Sequence, residues 1–250
     1  MTALLSLYGA SLLVVLLRVL PVVLLCPLLG AALVPGPVRL SLALAITVWV
    51  RGAAGVTVSL DESGWVGLAV EQLALGTVMG LAMSWSYEMA LAAGRWGDLF
   101  RGSSAEAFNP ATGSRDSAGG ALLHRLLVAT ACAGGALPAL VAELGRSFLW
   151  SPPGHWAWTE DMVGRWVAGL SHAFEAGAVV AAPFALMALS VDASVAFLQR
   201  MAPVFPLAEL ALPARLLLGG LFWIWDLAPA VQRLPAPSSA LQQLIAGHLP

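Results

Sequence analysis

An all-α membrane protein is the fold class this chain predicts, on three observations. Only 10% of its 250 residues are charged and mean hydropathy is +0.85, where an ordinary soluble domain carries about 25% charge. The apolar residues run in long blocks, without the period-two alternation of half-buried strands. Pro, Gly and Trp punctuate the block ends, as they do where helices meet a water boundary. Inside a bilayer only helices and closed barrels satisfy the backbone, so helix is the state that remains.

Five blocks follow in order. Ala3–Val34 either spans alone or splits at Pro21 or Pro27. It opens "MTALLSLYGASLLVVLLRVL", and its first positive charge, Arg18, comes after the apolar run has begun. That order predicts a retained helix, since a cleaved leader wants charge first. The turn "VPGPVR" (Val34–Arg39) leads into Val38–Val50. "SLDESG" (Ser59–Gly64) then sets Asp61, Glu62 and Ser63 where a helix start favours caps and negative charge, ahead of Gly64–Ala93. Ala121–Leu144 is the fourth block. After the aromatic turn "SPPGHWAW" (Ser151–Trp158), Thr159, Glu160 and Asp161 repeat the start signal. The last region, Val163–Val231, is broken at Asp192 and near Pro203–Pro213. Trp49, Trp65, Trp150, Trp156, Trp158, Trp223 and Trp225 crowd the block ends as interfacial rings. Residues 1–232 read as one helical domain and 233–250 as a Pro/Ser-containing tail.

Several chemistries are excluded. All twelve basic residues are Arg, so neither a P-loop nor a Schiff-base enzyme has its lysine. A net charge of −2 leaves no basic footprint for nucleic acid. Cys26 and Cys132 lie far apart in apolar runs and read as buried small hydrophobes. No GxSxG elbow occurs. "RWGD" (Arg95–Asp98) resembles the loop of intramembrane aspartyl proteases without its first Gly. His172 and Glu175 share a helix face at metal-site spacing, but no second pair joins them. A hydrogen-bonded polar pair is the simpler reading, and no cofactor is expected.

Other features concern packing. "GTVMG" puts Gly76 and Gly80 four apart, which lets another helix approach closely. Single charges interrupt the apolar blocks at Arg18, Glu71, Glu88, Glu143, Glu175, Asp192, Arg200 and Glu209. Each costs about 2.5–3.5 kcal/mol at a bilayer centre, so these helices are expected to face protein or a wet lumen over much of their surface. One stretch is unlike the rest: "RGSSAEAFNPATGSRDSAGG" (Arg101–Gly120) is small and polar between two apolar blocks. Its composition gives it little tendency to order by itself. From composition alone, a solvated connection and a functional loop are both open.

Six stretches in chain order carry a resemblance. The first joins Arg18, "PLLG" (Pro27–Gly30) and "PVRLSLALAI" (Pro37–Ile46). Then come "EQLALGTVMG" (Glu71–Gly80), "AGRWGDLFRGSSAEAFNP" (Ala93–Pro110), "SFLWSPPG" (Ser147–Gly154) and "FEAGAVVAAP" (Phe174–Pro183). Asp192, "RMAP" (Arg200–Pro203) and "PAR" (Pro213–Arg215) close the series. Over about residues 15–225 they resemble the FliR/SctT family, a core export-gate subunit of flagellar and virulence type III secretion systems. The chain departs from the family at Pro206-Leu207-Ala208, where Asn-Val-Phe is frequent. Asn109 stands where relatives often have Asp, and Arg215 where Lys is frequent.

The resemblance implies bent helical hairpins, similar to a fusion of two smaller export-gate subunits, in a multi-pass protein of the bacterial inner membrane. It implies a non-enzymatic role in a hetero-oligomer with those two hydrophobic subunits, a switch protein and membrane lipid. Part of the assembly would be raised to the periplasmic side, and unfolded secreted proteins would be the substrate. Arg101–Gly120 corresponds to the family's plug loop. Phe108 would then seal by apolar contact, while Gly102, Ser104, Asn109, Pro110 and Gly113 let the loop move. Arg18, Glu71, Glu175, Asp192 and Arg200 are expected to pair across subunit interfaces. "SFLWSPP" points to the injectisome form over the flagellar one. A stand-alone secondary transporter or channel is the alternative, since broken helices with midplane charges also mark that class.

Overall fold

The computed structural model describes residues 2–29, 34–57, 64–109, 113–155, 160–202 and 207–236. Among them are seven helices and one two-stranded hairpin. The helices are α1 (Thr2–Leu25), α2 (Gly36–Ala54), α3 (Trp65–Phe100), α4 (Ala118–Ala133), α5 (Ala136–Trp150), α6 (Glu160–Met201) and α7 (Ala211–Arg233). The hairpin, β1 (Glu106–Asn109) and β2 (Ser114–Ser117), lies between α3 and α4. The all-α expectation holds. Five helices (α1, α2, α3, α6 and α7) are long and apolar enough to cross a membrane, and the bent pair α4–α5 would make a sixth span.

Contacts divide the chain into two compact units. One takes Met1–Trp85 and Thr130–Ser171, and the other takes Ser86–Ala129 and His172–Pro235. In the first unit α1 continues through Pro21 and ends at Leu25, ahead of a short 3-10 turn at Pro27–Leu29. Of the two candidate breaks, the second is therefore used. α1 packs on α2, and α2 on α5. Its core stripe, Val14, Val15, Val19, Val22 and Val23, is fully buried, on the i, i+4 spacing that keeps one helix face inward. α3 crosses α1 at the small-residue step. A Cβ on Gly76 would overlap the Arg18 carbonyl, and one on Gly80 would lie 3.1 Å from Leu25 and 3.2 Å from the Pro21 carbonyl. The partner that GTVMG leaves unnamed is thus α1 of the same chain.

The fourth apolar block is not one helix. It breaks at Gly134-Gly135, where Gly135 takes φ +77°, a left-handed value that costs other residues strain. In the second unit α3 and α4 approach closely through glycine: a Cβ on Gly94 would sit 2.5 Å from the Gly119 backbone. Phe184 of α6 packs edge-on to Phe222 and tilted against Trp223 of α7, with ring centroids 5.7 and 5.2 Å away. Trp223, expected at a membrane boundary, is buried in this core, whereas Trp225 is 81% exposed. Cys26 is buried as expected, but Cys132 is exposed in the last turn of α4. The cap signals at Asp61, Glu62, Ser63 and Thr159, the departure at Pro206 and the tail from 237 onward lie outside the described residues.

Candidate functional site

The polar stretch 101–120 is more ordered than a plain loop. Phe108 pairs with Arg115, and Ala107 with Asp116, in an antiparallel register from Glu106↔Ser117 to Asn109↔Ser114. Ala118–Gly120, read from composition as loop, begin α4. Neither "EAFN" nor "SRDS" carries the β-branched residues that favour strands, so tertiary anchors supply the order. Alternation divides the hairpin into two faces. Asp116 is buried and pairs with Arg95 of α3. Phe108 and Arg115 occupy the opposite face and are exposed, Phe108 at 59%. Arg125 of α4 donates to the Phe108 carbonyl.

The hairpin's two ends are fixed at one residue. Asp98, in the last turn of α3, accepts the Gly119 N–H at 2.7 Å and pairs with Arg101 at 2.7 Å. Its backbone carbonyl accepts the Ser103 N–H at 2.9 Å. Ser117 adds a helix cap, its Oγ accepting the Gly120 N–H at 3.1 Å. Gly102 has φ +72°, and a Cβ there would sit 2.5 Å from Leu212 of α7. The positive φ strains any side chain at Gly102, and Leu212 would have to shift its tip to admit one. Ser104 is exposed, and Gly113 is a turn residue just before β2. Pro110 and the Asn109 side chain lie outside what is described.

A second polar node lies in the first unit. Arg18 is fully buried, and its guanidinium is 3.9 Å from the Phe148 ring centroid. It donates to Gln72 Oε1 at 2.7 Å, to the Ser147 carbonyl at 2.8 Å and Oγ at 3.2 Å, and to the Ser151 carbonyl at 2.8 Å. Glu71, 4% exposed, lies beside this node, its Oε1 accepting from Gln72 Nε2 at 3.5 Å. Three of the stretches that carried the resemblance therefore meet at one guanidinium.

Arg18 and Glu71, expected to pair across subunit interfaces, are both buried in the first unit. Both find partners within their own chain, because a buried charge takes the nearest hydrogen-bonding groups. Asp192 likewise pairs with Arg215 of α7. Glu175 and Arg200 are exposed on α6. Asp98 and Arg95 are the residues that the sequence passed over. Weighing RWGD as an incomplete protease loop hid two side chains with structural partners twenty-one positions on. Among the described residues no cluster of three His, Cys, Asp or Glu could hold a metal.

The model for the family described as bacterial export proteins, family 1, matches residues 10–234. The chain belongs to this family. That is the FliR/SctT family which its motifs resemble. A comparison with curated proteins found no match. This bacterial export protein is an integral membrane component of an export apparatus, with helices apolar enough to span. Both the Arg18 node and the anchored hairpin fall inside the matched residues.

Proposed function

We propose that this export protein is a non-enzymatic core subunit of a type III secretion export gate, lining part of a protein-conducting pore in the bacterial inner membrane. The observation that carries the subunit reading is the length of α6. Its 42 residues span about 60 Å, while the hydrocarbon core of a bilayer is about 30 Å thick. Exposed apolar side chains recur along it, from Val163 and Val167 through Phe174, Leu186 and Leu189 to Met201. Tilts in membranes reach about 40°, which still leaves much of this stripe outside lipid. Other polypeptides are the natural cover, and the two smaller hydrophobic gate subunits fit that role. A switch protein would then dock on the assembled gate, and part of the assembly would stand on the periplasmic side. Co-expression should yield a stable complex of three kinds of subunit by native mass spectrometry. A chain that remains monomeric and soluble in its detergent beside both partners contradicts the proposal.

The hairpin supports a plug. It presents one exposed aromatic ring on a short polar scaffold whose base is held by buried charges, an arrangement suited to closing a wet conduit and unsuited to lipid. Unfolded secreted chains would displace it. Deleting Ala105–Thr112 should make the assembled complex leak ions in planar bilayers, and an unchanged conductance with the complex intact excludes the plug. The "SFLWSPP" segment favours the injectisome form; needle-subunit genes beside this one would support it, and flagellin genes would contradict it.

A further inference from the structure

Asp98 holds the hairpin at both ends. The entering strand reaches it through Arg101 and the Ser103 N–H, and the leaving strand through the Gly119 N–H. The residue is 1% exposed, so its ion pair with Arg101 and the carboxylate's bond from the Gly119 N–H form away from bulk water, where charge-assisted contacts are strong. A second element backs them. α7 places Gly219 against Arg101, where a Cβ would lie 2.6 Å from that of Arg101. It also places Trp223 against Gly119, where a Cβ would lie 2.5 Å from the indole.

We propose that Asp98 is the positioning residue of the hairpin, and that α7 keeps Arg101 and Gly119 on its carboxylate through Gly219 and Trp223. The hairpin then has a defined resting position, set from α7 more than a hundred positions later in the chain. Releasing either grip loosens the hairpin at its base, while Arg95–Asp116 and Arg125 still join it to α3 and α4 along its length. Asp98→Asn keeps an oxygen for the Gly119 N–H but loses the charge that holds Arg101. Gly219→Ala leaves Asp98 untouched and pushes Arg101 aside. The two changes converge on one movement from different helices. The consequence for conductance rests on the plug reading above; the positioning itself does not.

Limited trypsinolysis of the purified full-length chain separates the possibilities. Arg115 is exposed on β2, and Arg146 is exposed on α5 and serves as the internal control. Both Asp98→Asn and Gly219→Ala should raise the rate of cleavage after Arg115 by about tenfold or more, with cleavage after Arg146 unchanged. Phe108→Ala, which removes the exposed ring and keeps the backbone carbonyl that Arg125 holds, should leave both rates alone. Should either variant fail to fold, Arg101→Gln tests the same grip and should open Arg115 in the same way. Wild-type cleavage after Arg115 in Asp98→Asn overturns the proposal. So does an equal rise at Arg146, which would mark Asp98 as a general stabiliser. Faster cleavage after Arg115 with no added ion leak in the assembled complex upholds the positioning role and discards the plug.

Discussion

At Arg18, four acceptors from α3, α5 and the turn after α5 converge on one guanidinium. Removing it takes the donor from Gln72 Oε1 and the Ser151 carbonyl, at about 1–3 kcal/mol each when left unsatisfied, while the Ser147 carbonyl keeps the Ser151 N–H. Arg18→Met should therefore destabilise the isolated chain by about 3 kcal/mol or more, read as a lowered unfolding midpoint in mixed micelles. Arg18→Lys should rescue little, since one ammonium cannot reproduce the planar fork. Gly76→Ala should cost about 1–3 kcal/mol, because its Cβ meets the backbone of α1. Gly80→Ala should cost less, since its Cβ would meet α1 at 3.1–3.2 Å and not overlap it. A wild-type midpoint for Gly76→Ala would remove the α1–α3 crossing from the account. The sequence marked Arg18, Glu71, Gly76 and Gly80 as special, because a charge or a glycine pair in an apolar helix stands out. It gave no means of telling an in-chain partner from a neighbour's. Asp98 stood out only within RWGD, and its role was hidden: Arg101 lies at a readable i, i+3 spacing, but the Gly119 N–H is a backbone partner that no residue spacing encodes.

The helices were legible as elements, because unbroken apolar blocks bounded by Pro and Gly admit little else. Their breaks were less so. Pro21 is tolerated inside α1, and Gly134-Gly135 divides a block that composition presents as continuous. The hairpin was not legible, since "EAFN" and "SRDS" order only through Arg95, Asp98 and Arg125, which belong to flanking helices. Phe108 makes the contrast testable. Being exposed, it should be replaceable by Ser with a stability change within about 0.5 kcal/mol, while the assembled complex gains ion leak. A large loss of chain stability would show instead that the ring is packed within its own subunit. Gly135→Ala should cost about 1 kcal/mol or more from its left-handed backbone, measured by the same micelle unfolding.

For the whole molecule, the decisive mismatch is between helix length and bilayer thickness. Long α3 and α6, of 36 and 42 residues, were foreshadowed by charges scattered through the apolar blocks. Their continuity was hidden, because Asp192 read as a break and is instead paired with Arg215 inside the second unit. Glu175 and Arg200 remain exposed on α6 and are the charges available to a neighbour. Reversing each should leave the isolated chain's unfolding midpoint within about 0.5 kcal/mol of wild type and lower co-purification of the two smaller subunits. Normal recovery from both variants would place partner contacts elsewhere. The most direct measurement is a spin-label scan along α6 in the membrane-embedded complex, with labels at Val163, Phe174, Leu186 and Leu198 read by oxygen accessibility. Lipid-like oxygen access is expected over no more than about 20 consecutive positions, with the remainder shielded by protein. Lipid-like access at all four sites would contradict it.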